Sequence, residues 1–416
     1  MAASTRTWGQ ARGSSREKAE HPADRPARSS KGRLLARRGR AWGAMEGVRY
    51  VRETRGWTLD SAIAPPGQRG FPQGPEPDNT VLPLPSLPQT GVSSPMAVYT
   101  EVFDDDLRTF LADYDIGDLR ALKGIAEGVE NSNYLLLTDR ASYILTLYER
   151  RVDPADLPYF LGLLRHLSER GLPCPLPVPG RDGEALRTLA GRPAAIVTFL
   201  QGAWPRRPDL SHCAQLGEAL ARLHQAGADY PLSRRNALSV AGWRTLVEST
   251  RARADEVMPG LQALLEDELA FLEAHWPQDL PGGVIHADLF PDNVFFLKGT
   301  LSGVIDFYFA CNDAFAYDLA ICLNAWCFEH EREFNFTKAR ALLNRYQAQR
   351  PLTPREIEVL PLLARGAALR FLLTRLYDGL NTPAGALVRP KDPAEYVHKL
   401  KFHQAVERAE AYGLDR

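Results

Sequence analysis

The chain has 416 residues, enough for two or three domains at roughly 100–200 residues each. Apolar residues make up 44% and charged residues 24%, globular proportions that exclude a collagen, a coiled-coil rod and wholesale disorder. Fifty Lys+Arg against 51 Asp+Glu leave a net charge of −1, which argues against nucleic acid as a partner held by bulk electrostatics. The balance conceals a split, because residues 1–95 carry 15 Lys+Arg and 8 Asp+Glu, a net +7, and residues 96–416 carry 35 against 43, a net −8.

Residues 1–95 hold 11 Gly and 11 Pro, an Arg-rich run at 32–40 and a Pro-rich run at 65–95, without sustained helix or strand period. Such composition cannot bury a core. We therefore expect a disordered extension: either a targeting segment or, the preferred expectation, an early assigned start with Met96 beginning the folded protein. The five cysteines (Cys174, Cys213, Cys311, Cys322, Cys327) are odd in number and irregularly spaced, which suits reduced thiols in a cytoplasm better than disulfides or a zinc site. No stretch approaches the ~20 apolar residues of a membrane span, so no membrane partner is expected.

Order is expected from about Val98. Residues 104–115 read as a short helix with Leu107, Phe110 and Leu111 on one face. Residues 119–124, 133–137 and 143–148 are short apolar or alternating runs between turn signals, as in an antiparallel sheet. Residues 154–170 repeat apolar side chains at helical spacing and stop at Gly171. A further strand at 194–199 ends this part. Beyond Gly202 the pattern turns helical, at 210–225, 242–275, 356–377 and 393–412. The expected class is α+β: a small antiparallel β lobe over 96–202, then a larger, mainly helical lobe over 203–416. No internal repeat is evident.

The most informative stretch is Val284–Leu297 with Leu301–Phe307 after it. His286, Asp288 and Asn293 follow the pattern His-x-Asp-x-x-x-x-Asn, and a hairpin turning at 298–303 leads to a second strand expected to deliver Asp306. Phosphoryl transfer needs this set: a carboxylate accepts the attacking hydroxyl's proton while an Asn and a second Asp hold Mg²⁺ on the ATP phosphates. By chance the first motif would occur in roughly 2% of chains of this length, and a strand-borne Asp-Phe makes coincidence much rarer.

On these residues the chain resembles the aminoglycoside phosphotransferase and choline kinase superfamily, small-molecule relatives of the protein kinases, over about residues 98–412. The resemblance implies a protein-kinase-like two-lobe fold, ATP and Mg²⁺ as cofactors, Asp288 as catalytic base, and Asn293 and Asp306 as metal ligands. His286 is expected to support the loop. Asp318, in Tyr317-Asp318-Leu319-Ala320, is implied as a buried brace, although the same residue could simply cap a helix.

The small lobe adds nucleotide contacts. Residues 124–133 take the place of a phosphate-covering hairpin, in which Gly124 and Gly128 would let backbone N–H groups approach the phosphates and Asn131 and Asn133 close its far end. Thr198 and Leu200 stand where the family's hinge meets adenine. One departure is plain: the family's phosphate-binding Lys should lie on residues 143–149, yet Thr146 holds its position and no lysine occurs between Lys123 and Lys298. Its partner Glu is missing from the middle of residues 154–170 too, so the pair is lost together and no lone buried charge remains. Arg150 or Arg151 could neutralise phosphate instead.

Within this superfamily the pattern is similar to the homoserine kinases of bacterial threonine biosynthesis, notably at 124–137, 161–177, 286–307 and 370–378. That resemblance implies L-homoserine as the small-molecule partner and acceptor. A zwitterion needs a cation for its carboxylate and an acceptor for its ammonium. Arg370, Arg375 and Asp378 on one C-terminal helix are candidates, with Arg234 and Arg235 as competitors. Kinases of other alcohols (choline, an aminoglycoside), a pseudokinase and a metallohydrolase are the alternatives. Retention of Asp288, Asn293 and Asp306 argues against the pseudokinase, and the lack of closely spaced His ligands against the hydrolase. Oligomeric state is not legible.

Overall fold

The computed structural model describes residues 100–125, 131–149, 152–382 and 390–414. All belong to one compact unit, Gln89–Arg416. The expectations for residues 1–95, the start at Met96, Gly128, Arg150 and Arg151 lie outside the described residues.

In the small lobe, α1 (Asp104–Leu111) opens on three aspartates that favour the positive end of the helix dipole and buries Leu107 and Phe110. It stops four residues short of the sequence expectation. Strands β1 (Leu119–Ile125), β2 (Asn131–Thr138) and β3 (Ser142–Tyr148) follow, then α2 (Leu157–Glu169) and the pair β4 (Arg187–Leu189) and β5 (Arg192–Thr198). They form one antiparallel sheet in the order β1-β2-β3-β5-β4. At three residues, β4 is too short to present an alternating pattern, which is why sequence reading passes it over.

The sheet has two faces with different duties. Leu136, Leu145, Leu147 and Ile196 join Leu107 and Phe110 in the lobe's own core. The pairings Asn131↔Tyr148 and Asn133↔Thr146 put these four residues on the opposite face. There Tyr148 and Ala195 merge into the core of the larger lobe.

The larger lobe runs α3 (Leu210–Ala226), α4 (Val240–Val257), α5 (Leu261–His275), β6 (Gly282–Ile285), β7 (Val294–Leu297), β8 (Thr300–Val304), β9 (Cys311–Ala314), α6 (Phe315–Trp326), α7 (Phe336–Gln349), α8 (Pro354–Asn381) and α9 (Ala394–Gln404). The single helix expected at 242–275 is two helices. Pro259 pushes Met258 to an extended φ of −154°, and Gly260 turns the chain at φ 81°. The helix expected at 393–412 ends at Gln404, and a short 3₁₀ turn at Ala409–Tyr412 brings the Tyr412 hydroxyl 2.7 Å from His403 Nδ1. Helices α6 and α7 were not anticipated. Ten of the twelve residues of α6 are buried, so it has no polar face to reveal a period. Helix α8 begins on a capping box in which Thr353 and Glu356 satisfy each other's backbone N–H groups.

Candidate active site

Strand β6 ends at Ile285, and the chain enters a loop whose backbone is held almost wholly by side chains. Asp318, in the first turn of α6, accepts the N–H of His286 at 2.8 Å and that of Ala287 at 2.9 Å. Arg370 donates to the Ala287 carbonyl, Asn293 Nδ2 to the Asp288 carbonyl at 2.8 Å, and Trp326 Nε1 to the Leu289 carbonyl at 2.8 Å. Ala287 sits at φ 62°, a left-handed conformation that a non-glycine residue keeps only when its surroundings hold it there. Asp288, the next residue, is half-buried.

His286 is fully buried and supports this loop. Its Nδ1 faces the Asp288 N–H at 3.2 Å and must accept, so Nε2 carries the proton and donates to the Ile305 carbonyl at 2.9 Å. Burial pushes its pKa below the ordinary value, which keeps the ring neutral. His224 is neutral for the same reason and donates through Nε2 to Asp318 at 3.2 Å, while the Tyr346 hydroxyl serves its Nδ1 at 2.7 Å. Burial works against the charge of Asp318, yet the donors from His224, His286 and Ala287 hold its carboxyl below the usual range.

Strands β7 and β8 form a hairpin whose turn residues Lys298 and Gly299 both have positive φ, 52° and 81°, as a two-residue primed turn requires. Asp306 is not on the second strand as expected. Strand β8 ends at Val304, and Asp306 stands beyond it, exposed and left-handed at φ 64°. The Ile305 N–H donates to the Asn293 carbonyl at 3.0 Å, which ties the two metal-ligand candidates to neighbouring backbone. Because Asn293 Nδ2 is committed to the loop, its amide oxygen is the atom left for a cation. One amide oxygen and one carboxylate are hard donors that suit Mg²⁺ or Ca²⁺. Among the described residues no group of three or more His, Cys, Asp or Glu forms a protein-only metal cage, so phosphate and water oxygens would have to complete the shell.

In the small lobe Thr146 is buried at the position expected for Lys and donates to Asn133 Oδ1 at 2.8 Å. Rings fill the rest of that space. Tyr308 packs edge-on against Tyr148 and Phe160, with centroids 5.6 and 5.7 Å away. Asn131 is buried, and its Oδ1 accepts from the Glu149 N–H at 3.4 Å. Gly124 pairs with Tyr134 and has room for a side chain, so its backbone does not demand glycine. Gly202 does: at φ 138° any Cβ would meet Ser302 Oγ at 2.5 Å and the Phe296 carbonyl at 3.0 Å. The Thr198 N–H is spent on the Leu176 carbonyl at 2.9 Å, so it is not open to a ligand.

Residues 121–379 match the family model described as the phosphotransferase enzyme family. The homoserine kinase of Rhodospirillum rubrum is 71% identical over 321 residues, covering 77% of this chain and 100% of that protein. The homoserine kinase of Rhizobium meliloti is 62% identical over 321 residues, covering 77% and 98%. The chain belongs to the homoserine kinases. Solved structures share the fold at low identity. An amicoumacin kinase in complex with AMP-PNP and Ca²⁺ is 17% identical at TM-score 0.54, covering 75% of this chain and 94% of its own. A spectinomycin phosphotransferase is 14% identical at TM-score 0.53, covering 74% and 97%. The two-lobe α+β class is thus established. No helix among the described residues is long and apolar enough to cross a membrane.

Arg370, which holds the loop, also lines a pocket of about 350 Å³ with Asp153, Asp156, Arg234, Asn236, Tyr308 and apolar neighbours. Of the three acceptor candidates on α8, the structure brings only Arg370 to the loop and this pocket. Arg375 lies five residues on, about 140° round the helix, and its guanidinium pairs with Glu395 and donates to the Asp392 carbonyl at 3.2 Å. Asp378 is half-buried one turn further along. Arg235 lines a separate surface hollow with Arg244 and Glu273. Sequence reading missed Asp153 and Asp156, whose setting before α2 reads as ordinary helix capping, and the Arg234–Asp156 pair spans 78 positions.

Proposed function

We propose that the chain transfers the γ-phosphoryl group of ATP to the side-chain hydroxyl of L-homoserine, giving O-phospho-L-homoserine and ADP, as a cytoplasmic Mg²⁺-dependent enzyme of threonine biosynthesis. The observation that carries this reading is the half-buried Asp288 on a loop pinned from both sides, one of whose pins, Arg370, also lines a small pocket of mixed charge. Asp288 accepts the hydroxyl proton as the hydroxyl attacks, and Arg370, Asp318 and Asn293 keep it in place. Asn293 and Asp306 would hold Mg²⁺, which when bound offsets the charge of the phosphates. The lobe that ends near Gly202, with Gly124, Asn131, Asn133, Thr198 and Leu200, binds the nucleotide. Thr146 in place of Lys leaves more of the phosphate charge to the metal.

The test is Asp288→Asn. Turnover of homoserine with MgATP should fall by about 10²–10⁴-fold, while the urea midpoint and ATP binding stay at wild-type values. Near-normal turnover would remove Asp288 from the role.

A further inference from the structure

The pocket that Arg370 joins to the catalytic loop carries two arginines and two aspartates, and their surroundings make them unequal. Arg370 is 2% exposed. It donates to the Ala287 carbonyl, Phe309 and Phe371 flank its guanidinium at 5.7 and 4.5 Å, and among the described residues its Nε has no acceptor. A buried donor on a charged group without a partner is costly and is relieved by a carboxylate. Arg234 is already engaged, through Nε to Asp156 at 2.7 Å and through NH1 to the Ala310 carbonyl at 3.3 Å, and lies 5.0 Å over the Phe160 ring. It therefore orients Asp156 instead of waiting for a ligand. Asp153 is exposed and uses one oxygen to cap the Ala155 N–H at 2.9 Å, which leaves its other oxygen for a cation.

We infer that this pocket is the acceptor subsite and reads an α-amino acid by both ends: Arg370 takes the carboxylate, and Asp153 and Asp156 take the ammonium. This rests on the proposed function and deepens it. The lining is balanced in charge, which suits a zwitterion and offers little to a polycation. Its volume is at the small end of the roughly 300–1,000 Å³ usual for ligand sites. The same guanidinium that receives the carboxylate holds the residue before Asp288, so acceptor binding and the position of the base share one side chain.

The experiment measures kcat/KM for L-homoserine, 4-hydroxybutyrate, which lacks the ammonium, and 3-amino-1-propanol, which lacks the carboxylate. Asp153→Asn/Asp156→Asn keeps an oxygen for Ala155 and for Arg234 while removing both charges. It should lower kcat/KM for homoserine about 10–100-fold, leave 4-hydroxybutyrate within about twofold and leave the KM for ATP unchanged. An equal loss on both acceptors, or none on either, overturns the ammonium assignment. Arg370→Gln should cost homoserine at least about tenfold more than 3-amino-1-propanol. An equal loss there means that Arg370 only braces the loop, and overturns the carboxylate assignment. Wild-type enzyme that does not phosphorylate homoserine overturns the functional reading itself.

Discussion

Asp318→Asn tests the bracing of the catalytic loop without changing side-chain size. The wild-type carboxylate accepts two backbone N–H groups, from His286 at 2.8 Å and Ala287 at 2.9 Å, and the His224 Nε2–H at 3.2 Å. Asparagine has one oxygen, so at least one of these donors, in a fully buried site, is left facing an NH₂ group. Each orphaned buried donor costs about 1–3 kcal/mol, and the remaining bonds lose their charge assistance. We expect a loss of about 2–5 kcal/mol in urea unfolding, a large share of the usual 5–15 kcal/mol. The left-handed Ala287 is then less firmly held, and a shift of about 1 Å in Asp288 would lower kcat about 100-fold. Urea titration with steady-state kinetics measures both. A variant within about 0.5 kcal/mol and about twofold in kcat of wild type would refute the brace.

Three further outcomes are expected. Asp306→Ala should raise the Mg²⁺ concentration needed for half-maximal activity and weaken MgATP binding, because one of two protein oxygens is lost; an unchanged metal titration contradicts its role. Stability should fall as pH drops below about 6.5, because the unfolded chain takes up protons that buried His224, His286 and His403 refuse in the fold; burial holds His403 at about 3. At pH 5 that residue alone costs about 2 kcal/mol, so a flat urea-stability profile between pH 7.5 and pH 5 would contradict it. Serine should be a poor acceptor, since with its charged ends clamped its hydroxyl is one methylene short of Asp288; parity with homoserine in side-by-side kinetics would reject that geometry.

What the sequence discloses follows from which forces act locally. Alternation in β2 and β3 is visible because one face of the sheet is apolar, and the spacing of His286, Asp288 and Asn293 is visible because one short loop carries all three. Helix α6 is hidden because burial on every side erases its period. Asp318 was legible only through resemblance, as its ties to His286 and His224 cross 32 and 94 positions. The acceptor pocket was half legible: Arg370 stands in a distinctive helix, whereas Asp156 gains meaning only when the fold sets it against Arg234. The break at Met258-Pro259-Gly260 was written in plain turn residues and was outweighed by the apolar period on either side of it.

Where many kinases join strand to helix by a Lys–Glu ion pair, here Thr146 is buried and the rings of Tyr148, Tyr308 and Phe160 meet edge to face. An ionic latch can be released by drawing off one charge, and protein kinases are switched by moving the helix that bears it. Interlocked aromatic rings offer no charge to draw off. Helix α2 is therefore fastened to the residues after Asp306, through Phe160 and Tyr308, by a contact that carries no charge.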